Sequence, residues 1–170
     1  MHGFTRGEAD RAAAISSGDL KKDHASMNFH QVPAFHGLDV VPPIIIAGIY
    51  IVASSLIPEP SRRNFNAIMI GGAGAAYLSG GFGVWEFAFT ALVTFCAFKG
   101  LQSYRFIAVG WLLHAGWDVM HHFYGNPIVP FAPTSSAGCA ITDAIIAIWF
   151  FADAPSVFDL IRFSRAAENA

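Results

Sequence analysis

From residue 40 onward the chain alternates between long apolar runs and short polar or breaker-rich interruptions, and the lengths of the runs decide the elements. Residues 40–57 (VVPPIIIAGIYIVASSLI) carry no charge and are closed by PEPSRR. Residues 67–81 (AIMIGGAGAAYLSGG), 85–98 (WEFAFTALVTFCAF), 106–124 and 137–151 (AGCAITDAIIAIWFF) repeat the theme. Apolar runs of 14 to about 20 residues predict helices rather than strands. The predicted fold class is all-α, a helical bundle of about five transmembrane helices. The prolines of GNPIVPFAPTSS end the fourth helix, and Thr134, Ser135 and Ser136 are placed to cap the fifth. Glycines and alanines in the second run suit close helix contact, either inside the bundle or in a homo-oligomer. Three regions follow: a polar N-terminal tail over residues 1–39, a transmembrane domain over 40–154, and a short C-terminal tail over 155–170 whose segment VFDLIRFSRAAENA is amphipathic enough to lie along a lipid interface.

Composition strengthens that picture. Of the 170 residues 54% are hydrophobic and only 13% charged, whereas soluble domains carry roughly 25% charged residues. A net charge of -2, with ten scattered Lys and Arg, offers no field for nucleic acid. Residues 1–39 lack an apolar segment behind their basic residues and do not read as a secretory signal. Cys96 and Cys139 fall in separate apolar runs and suggest neither a disulfide framework nor a paired-thiol zinc site. The basic residues Arg62, Arg63, Lys99, Arg105, Arg162 and Arg165 fall on one side of a five-span arrangement, which predicts a multi-pass membrane protein with a cytoplasmic C-terminus. Lys21 and Lys22 in the tail compete with that orientation. Arg62 and Arg63 read as interfacial anchors.

The fourth run holds the candidate chemistry. In GWLLHAGWDVMHHFYGNP, at about 100° per residue, His114, Asp118, His121 and His122 fall within an arc of roughly 100°, stacked over about 12 Å. Ionisable groups inside a membrane are costly and normally face a bundle interior, so four together call for a function. The alternation of spans brings further polar residues to the same membrane side: His36 and Asp39 before the first span, Glu86 opening the third, and Asp143 in the fifth, with His30 able to join if the tail folds back. His114, Asp118, His121, His122 and Asp143 are the candidate ligands of a divalent metal, zinc or iron. Glu86 and Asp118 are the candidate catalytic groups, Glu86 as a general base. His121 and His122, adjacent in sequence, cannot point the same way. A metal-free proton relay and purely structural hydrogen bonding use the same residue types, and Glu86 in a first helical turn also answers the helix dipole.

The segments EPSRRNFNAIMIGGAGAAYLSGGFGVWEF, GLQSYRFIAVGWLLHAGWDVMHHFYGNPIVPF and PTSSAGCAITDAIIAIWFF resemble DUF6010, a family of small multi-pass membrane proteins without an assigned reaction. The likeness covers roughly residues 40–158 and is most specific at His114, Asp118, His121 and His122 followed by Tyr124, Gly125, Asn126 and Pro127. The resemblance implies a fold and a set of residues; it also leads one to expect a cysteine where this chain has Thr142. The spacings are similar to the histidine boxes of membrane desaturases, which use about eight histidines against seven here. Intramembrane zinc hydrolases of the ceramidase type are matched in composition but not in order. The expected activity is that of a metal-dependent membrane enzyme, a zinc hydrolase ahead of an iron oxygenase, acting on a lipid-like substrate. A proton or metal-ion transporter, or a structural membrane subunit, is the alternative.

Overall fold

The computed structural model of the chain describes residues 32–168, with Ser79, Gly125 and Asn126 left out. The tail to residue 31, with His30, Lys21 and Lys22, therefore lies outside the described residues, as does Asn126. Six α-helices and one 3-10 turn, and no strand among the described residues, make the protein all-α. The 3-10 turn Gly37–Val40 leads into α1 (Val41–Ser55), followed by α2 (Ser61–Gly74), α3 (Val84–Gly100), α4 (Tyr104–Tyr124), α5 (Ser135–Phe151) and α6 (Val157–Glu168).

Local chemistry explains the boundaries. Pro42 and Pro43 lie in the first turn of α1, where the missing N–H groups cost no helical hydrogen bond. Pro58 and Pro60 separate α1 from α2, and the Glu59–Pro60 peptide is cis. Helix α2 begins at Ser61, so Arg62 and Arg63 form its first turn rather than a loop, and it ends at Gly74, seven residues before the expected limit. Gly83, at φ 57°, takes a left-handed conformation that suits glycine and reverses the chain into α3. The expected serine caps of α5 are replaced by another arrangement: Thr134 is the N-cap without a side-chain bond. Ser135 Oγ accepts from Val129 N at 3.0 Å, and Ser136 Oγ from Ile128 N at 3.2 Å. Both hydroxyls fasten the preceding loop to the helix start.

Helix α4 is the hub, packed against α2, α3 and α5, and α1 lies against the far side of α5. Small residues set the closest approaches. A Cβ on Gly74 would stand 2.7 Å from Val93 Cγ1, and one on Gly110 2.8 Å from Ile70 Cγ1. Ile70, Val93, Ile107, Ile146 and Phe150 fill the core between them.

Polarity is distributed in reverse of a water-soluble bundle. Ile44, Ile45, Ile46 and Ile49 of α1, Phe87, Phe95 and Phe98 of α3, Leu112 of α4 and Ile148 of α5 are exposed, whereas Asn66, Glu86, His114, Asp118, His121, Ser136 and Asp143 are buried. Among the described residues one segment, Gly37–Ser55, is long and apolar enough by itself to cross a membrane. Of the other expected spans, α4 has the length, 21 residues, but its Asp and three His lower its apolarity. Helix α5 is apolar but 17 residues long. Arg62 is not an interfacial anchor: 7% exposed, it donates from Nε to Ile57 O at 2.9 Å and from a terminal guanidinium nitrogen to Ala154 O at 3.0 Å. It ties the end of α1 to the turn after α5, where Asp153 and Ala154 both have positive φ.

Candidate metal centre

Two helices deliver three side chains to one buried point. His114 and Asp118 lie one turn apart on α4, which puts them on the same face, and Asp143 enters from α5. Exposures of 4%, 0% and 5% keep all three from solvent, and each offers a ligand atom within 4.8 Å of the others. The rings of Tyr77, Phe89 and Trp111 stand 5.8, 5.9 and 6.0 Å from the His114 imidazole and keep its surroundings apolar.

The orientation of His114 carries most of the chemistry. Nε2 lies 3.0 Å from the Ala73 carbonyl, which can only accept, so this nitrogen bears the proton. In the neutral ring Nδ1 is then a bare lone pair. It faces Asp143 Oδ2 at 2.7 Å and Asp118 Oδ2 at 3.3 Å. A lone pair opposed to two carboxylate oxygens in a dry interior calls for a proton or a metal cation between them. One proton on Nδ1 serves Asp143, but Asp118 Oδ2 then accepts no hydrogen bond at all. A divalent ion held there would satisfy all three atoms and balance both carboxylates. Ala73 in turn orients the imidazole as backbone carbonyls orient metal-ligating histidines, and the Tyr77 hydroxyl donates to Asp118 Oδ1. The residues fit a metal.

His121 and Glu86, both 1% exposed, form a second buried group. His121 Nε2 lies 3.0 Å from Glu86 Oε1. The same oxygen accepts from Phe82 N at 3.1 Å, and Oε2 accepts from Trp117 Nε1 at 2.8 Å. With both oxygens occupied, Glu86 is held away from the three-residue group. Tyr77 joins the two groups, its ring stacked on His121 at 3.9 Å while its hydroxyl reaches Asp118. Gly80 allows this approach, since a Cβ there would stand 3.0 Å from Glu86 Oε1 and 3.1 Å from His121 Cε1.

Of the expected ligands, then, His114, Asp118 and Asp143 meet, His121 pairs with Glu86, and His122 joins neither. His122 is half-buried and lines a small apolar hollow with Phe35, Val119 and Ile141. His36 is exposed, and its backbone N–H donates to Asp39 Oδ2 at 2.7 Å. Thr142 Oγ1 donates to the Pro43 and Gly138 carbonyls, each at 3.2 Å, turning away from the cluster. Tyr77 and the Ala73 carbonyl were not expected at the site. The signal was a lone tyrosine in a run of Gly and Ala, at the chain reversal that also carries Glu86. Both cysteines are free.

No curated protein and no solved structure matches the chain. Residues 38–156 match the model of a family described as a family of unknown function, DUF6010, a stretch that contains His114, Asp118 and Asp143 together with Tyr77 and Glu86. The chain belongs to the DUF6010 family.

Proposed function

We propose that the protein is an integral membrane helical bundle that holds a divalent metal ion between His114, Asp118 and Asp143 and uses it to hydrolyse a lipid-like substrate. The membrane part rests on the inverted polarity: a surface of exposed Ile, Leu and Phe around buried carboxylates and imidazoles is stable in hydrocarbon and not in water. The 19 residues Gly37–Ser55 reach about 28 Å and the 17 of α3 and of α5 about 25 Å, within the range that tilt and local thinning accommodate. Helix α2, 14 residues long, reaches about 21 Å and crosses with the help of the turn that follows it. Arg63 at the α2 start and the basic residues of the α3–α4 link favour a cytoplasmic C-terminus, with the metal group in the opposite half.

The single observation that carries the metal is the Nδ1 lone pair of His114 facing two buried carboxylates, one of whose oxygens has no hydrogen-bond donor. Three protein ligands leave an open position, the arrangement of catalytic rather than structural zinc sites. Bound zinc supplies Lewis acidity. The chain's own groups do the rest: Ala73 and Tyr77 hold the ligands, the aromatic rings exclude water, and Asp143 borders both the metal group and a cleft open to the outside. Glu86 acts as a positioning residue through His121 and Tyr77 instead of as the general base. A single histidine departs from the two-histidine iron set, which favours zinc and hydrolysis over oxidation. A through-membrane relay is disfavoured because one turn beyond the cluster Ile70, Trp111 and Ile146 form an apolar level, with Trp111 Nε1 unpartnered.

The test is a comparison of lipid extracts incubated with chelator-stripped protein, zinc-reloaded protein and Asp143→Asn. Free acyl or head-group products that appear only with the reloaded wild type support hydrolysis. Identical extracts in all three samples overturn it.

A further inference from the structure

Asp143 joins the cluster to an open cleft. A cleft of about 380 Å³ lies between the start of α1 and α5, walled by Pro42, Pro43 and Ile46 on one side and Gly138 and Cys139 on the other, with Asp143 bordering it. From Ser135 to Asp143 it follows α5 for about 12 Å. Most of its wall is apolar, and two of its hydroxyls are already engaged, Ser135 by Val129 N and Thr142 by the Pro43 and Gly138 carbonyls. Beyond the Thr134 hydroxyl and the Cys139 thiol, what remains polar is acidic. Asp39 lines the same cleft near the α1 start, held by the His36 N–H, and no Lys, Arg or His is among the described lining residues.

The charge count then selects the guest. A divalent ion with Asp118, Asp143 and a neutral His114 sums to zero, and Asp39 adds one negative charge. Among the described lining residues no basic side chain offsets a phosphate or a free carboxylate, and Asp39 opposes either one. We infer that the cleft between α1 and α5 binds an acyl-chain amphiphile whose head group carries no negative charge, such as a neutral acyl ester or amide, and excludes free fatty acids and phosphate-bearing lipids. This deepens the proposed function and rests on it for the reaction, though not for the binding preference. A larger groove of about 450 Å³ between α3 and α4, lined by Trp85, Leu92, Leu112, Gly116 and Met120, has no charged residue among its described lining and makes no such distinction.

The experiment photo-labels the purified, zinc-supplemented protein in neutral detergent with two diazirine probes of equal chain length, a monoacylglycerol and a fatty acid, at a pH where the acid is ionised. Labelled residues are mapped by mass spectrometry. The monoacylglycerol is expected to label the cleft walls at least tenfold more than the fatty acid, with both labelling the α3–α4 groove alike. Asp39→Asn should raise fatty-acid labelling of the cleft about fivefold relative to the monoacylglycerol, and Thr134→Lys, which adds a cation at another lining position, should shift it the same way. Equal labelling of the cleft by both probes, indifference to both substitutions, or neutral-probe labelling confined to the α3–α4 groove would overturn the inference. Zinc measured on the same samples separates the two readings. A charge-selective cleft without zinc removes the metal and keeps the cleft, and zinc with an unselective cleft removes only this inference.

Discussion

His114 is fixed by three neighbours that make different demands on it. The Ala73 carbonyl takes the Nε2 proton, and the two carboxylates compete for what stands at Nδ1. A metal bound at Nδ1 competes with a proton for the same position, so uptake weakens as pH falls. Competition titrations against a zinc chelator should show affinity rising as pH rises. A flat profile would contradict ligation through Nδ1. Tyr77 acts one bond further out, on Asp118 Oδ1. Tyr77→Phe should lower zinc affinity by about 10- to 100-fold in the same titration, while His122→Ala leaves it unchanged. The residue types and spacing on α4 made His114 and Asp118 legible, and Asp143 followed from its depth in an apolar run. The division between His121 and His122 was not legible, because adjacent positions differ by about 100° and only the packing of α3 decides which meets Glu86. Tyr77 was hidden because its neighbours read as packing residues and its role depends on α2 ending at Gly74.

At the scale of elements, glycines set how closely the helices approach. Gly74 faces Val93, whose Cβ would be 2.8 Å from an added methyl, whereas Gly72 has nothing within 4 Å. Gly74→Ala should destabilise the protein by about 1–3 kcal/mol by forcing α2 and α3 apart. Gly72→Ala should be neutral or slightly stabilising, since alanine is the better helix former. Thermal unfolding in detergent checks both, and equal effects would show that the α2–α3 contact is not what these glycines serve. Such a pairing is visible in sequence only as a small-residue run, since which glycine meets which neighbour depends on the crossing of two helices. The start of α2 was obscured for a similar reason. Arg62 looked like a loop or interface residue, and only its buried partners, the Ile57 and Ala154 carbonyls, show why a guanidinium belongs inside.

The whole molecule is organised around an inversion of polarity. Apolar runs told of helices and their approximate ends, because run length and the breakers between runs are local properties. Whether each helix crosses a membrane is less local. Polar groups on α3 and α4 lower their hydropathy while being buried by their neighbours, so a helix that fails a length-and-apolarity test alone can still present an apolar exterior. On the proposed reading, the protein stays with the membrane fraction through an alkaline carbonate wash and is released by detergent. Release by carbonate would mean peripheral attachment. The central claim is the ion. Elemental analysis of detergent-purified wild type, His114→Ala, Asp118→Ala and Asp143→Asn, each with its helix content verified, measures it directly. The account predicts about one zinc per chain in the wild type and a large loss in all three variants. A wild-type protein free of metal and unable to take up added zinc would contradict it.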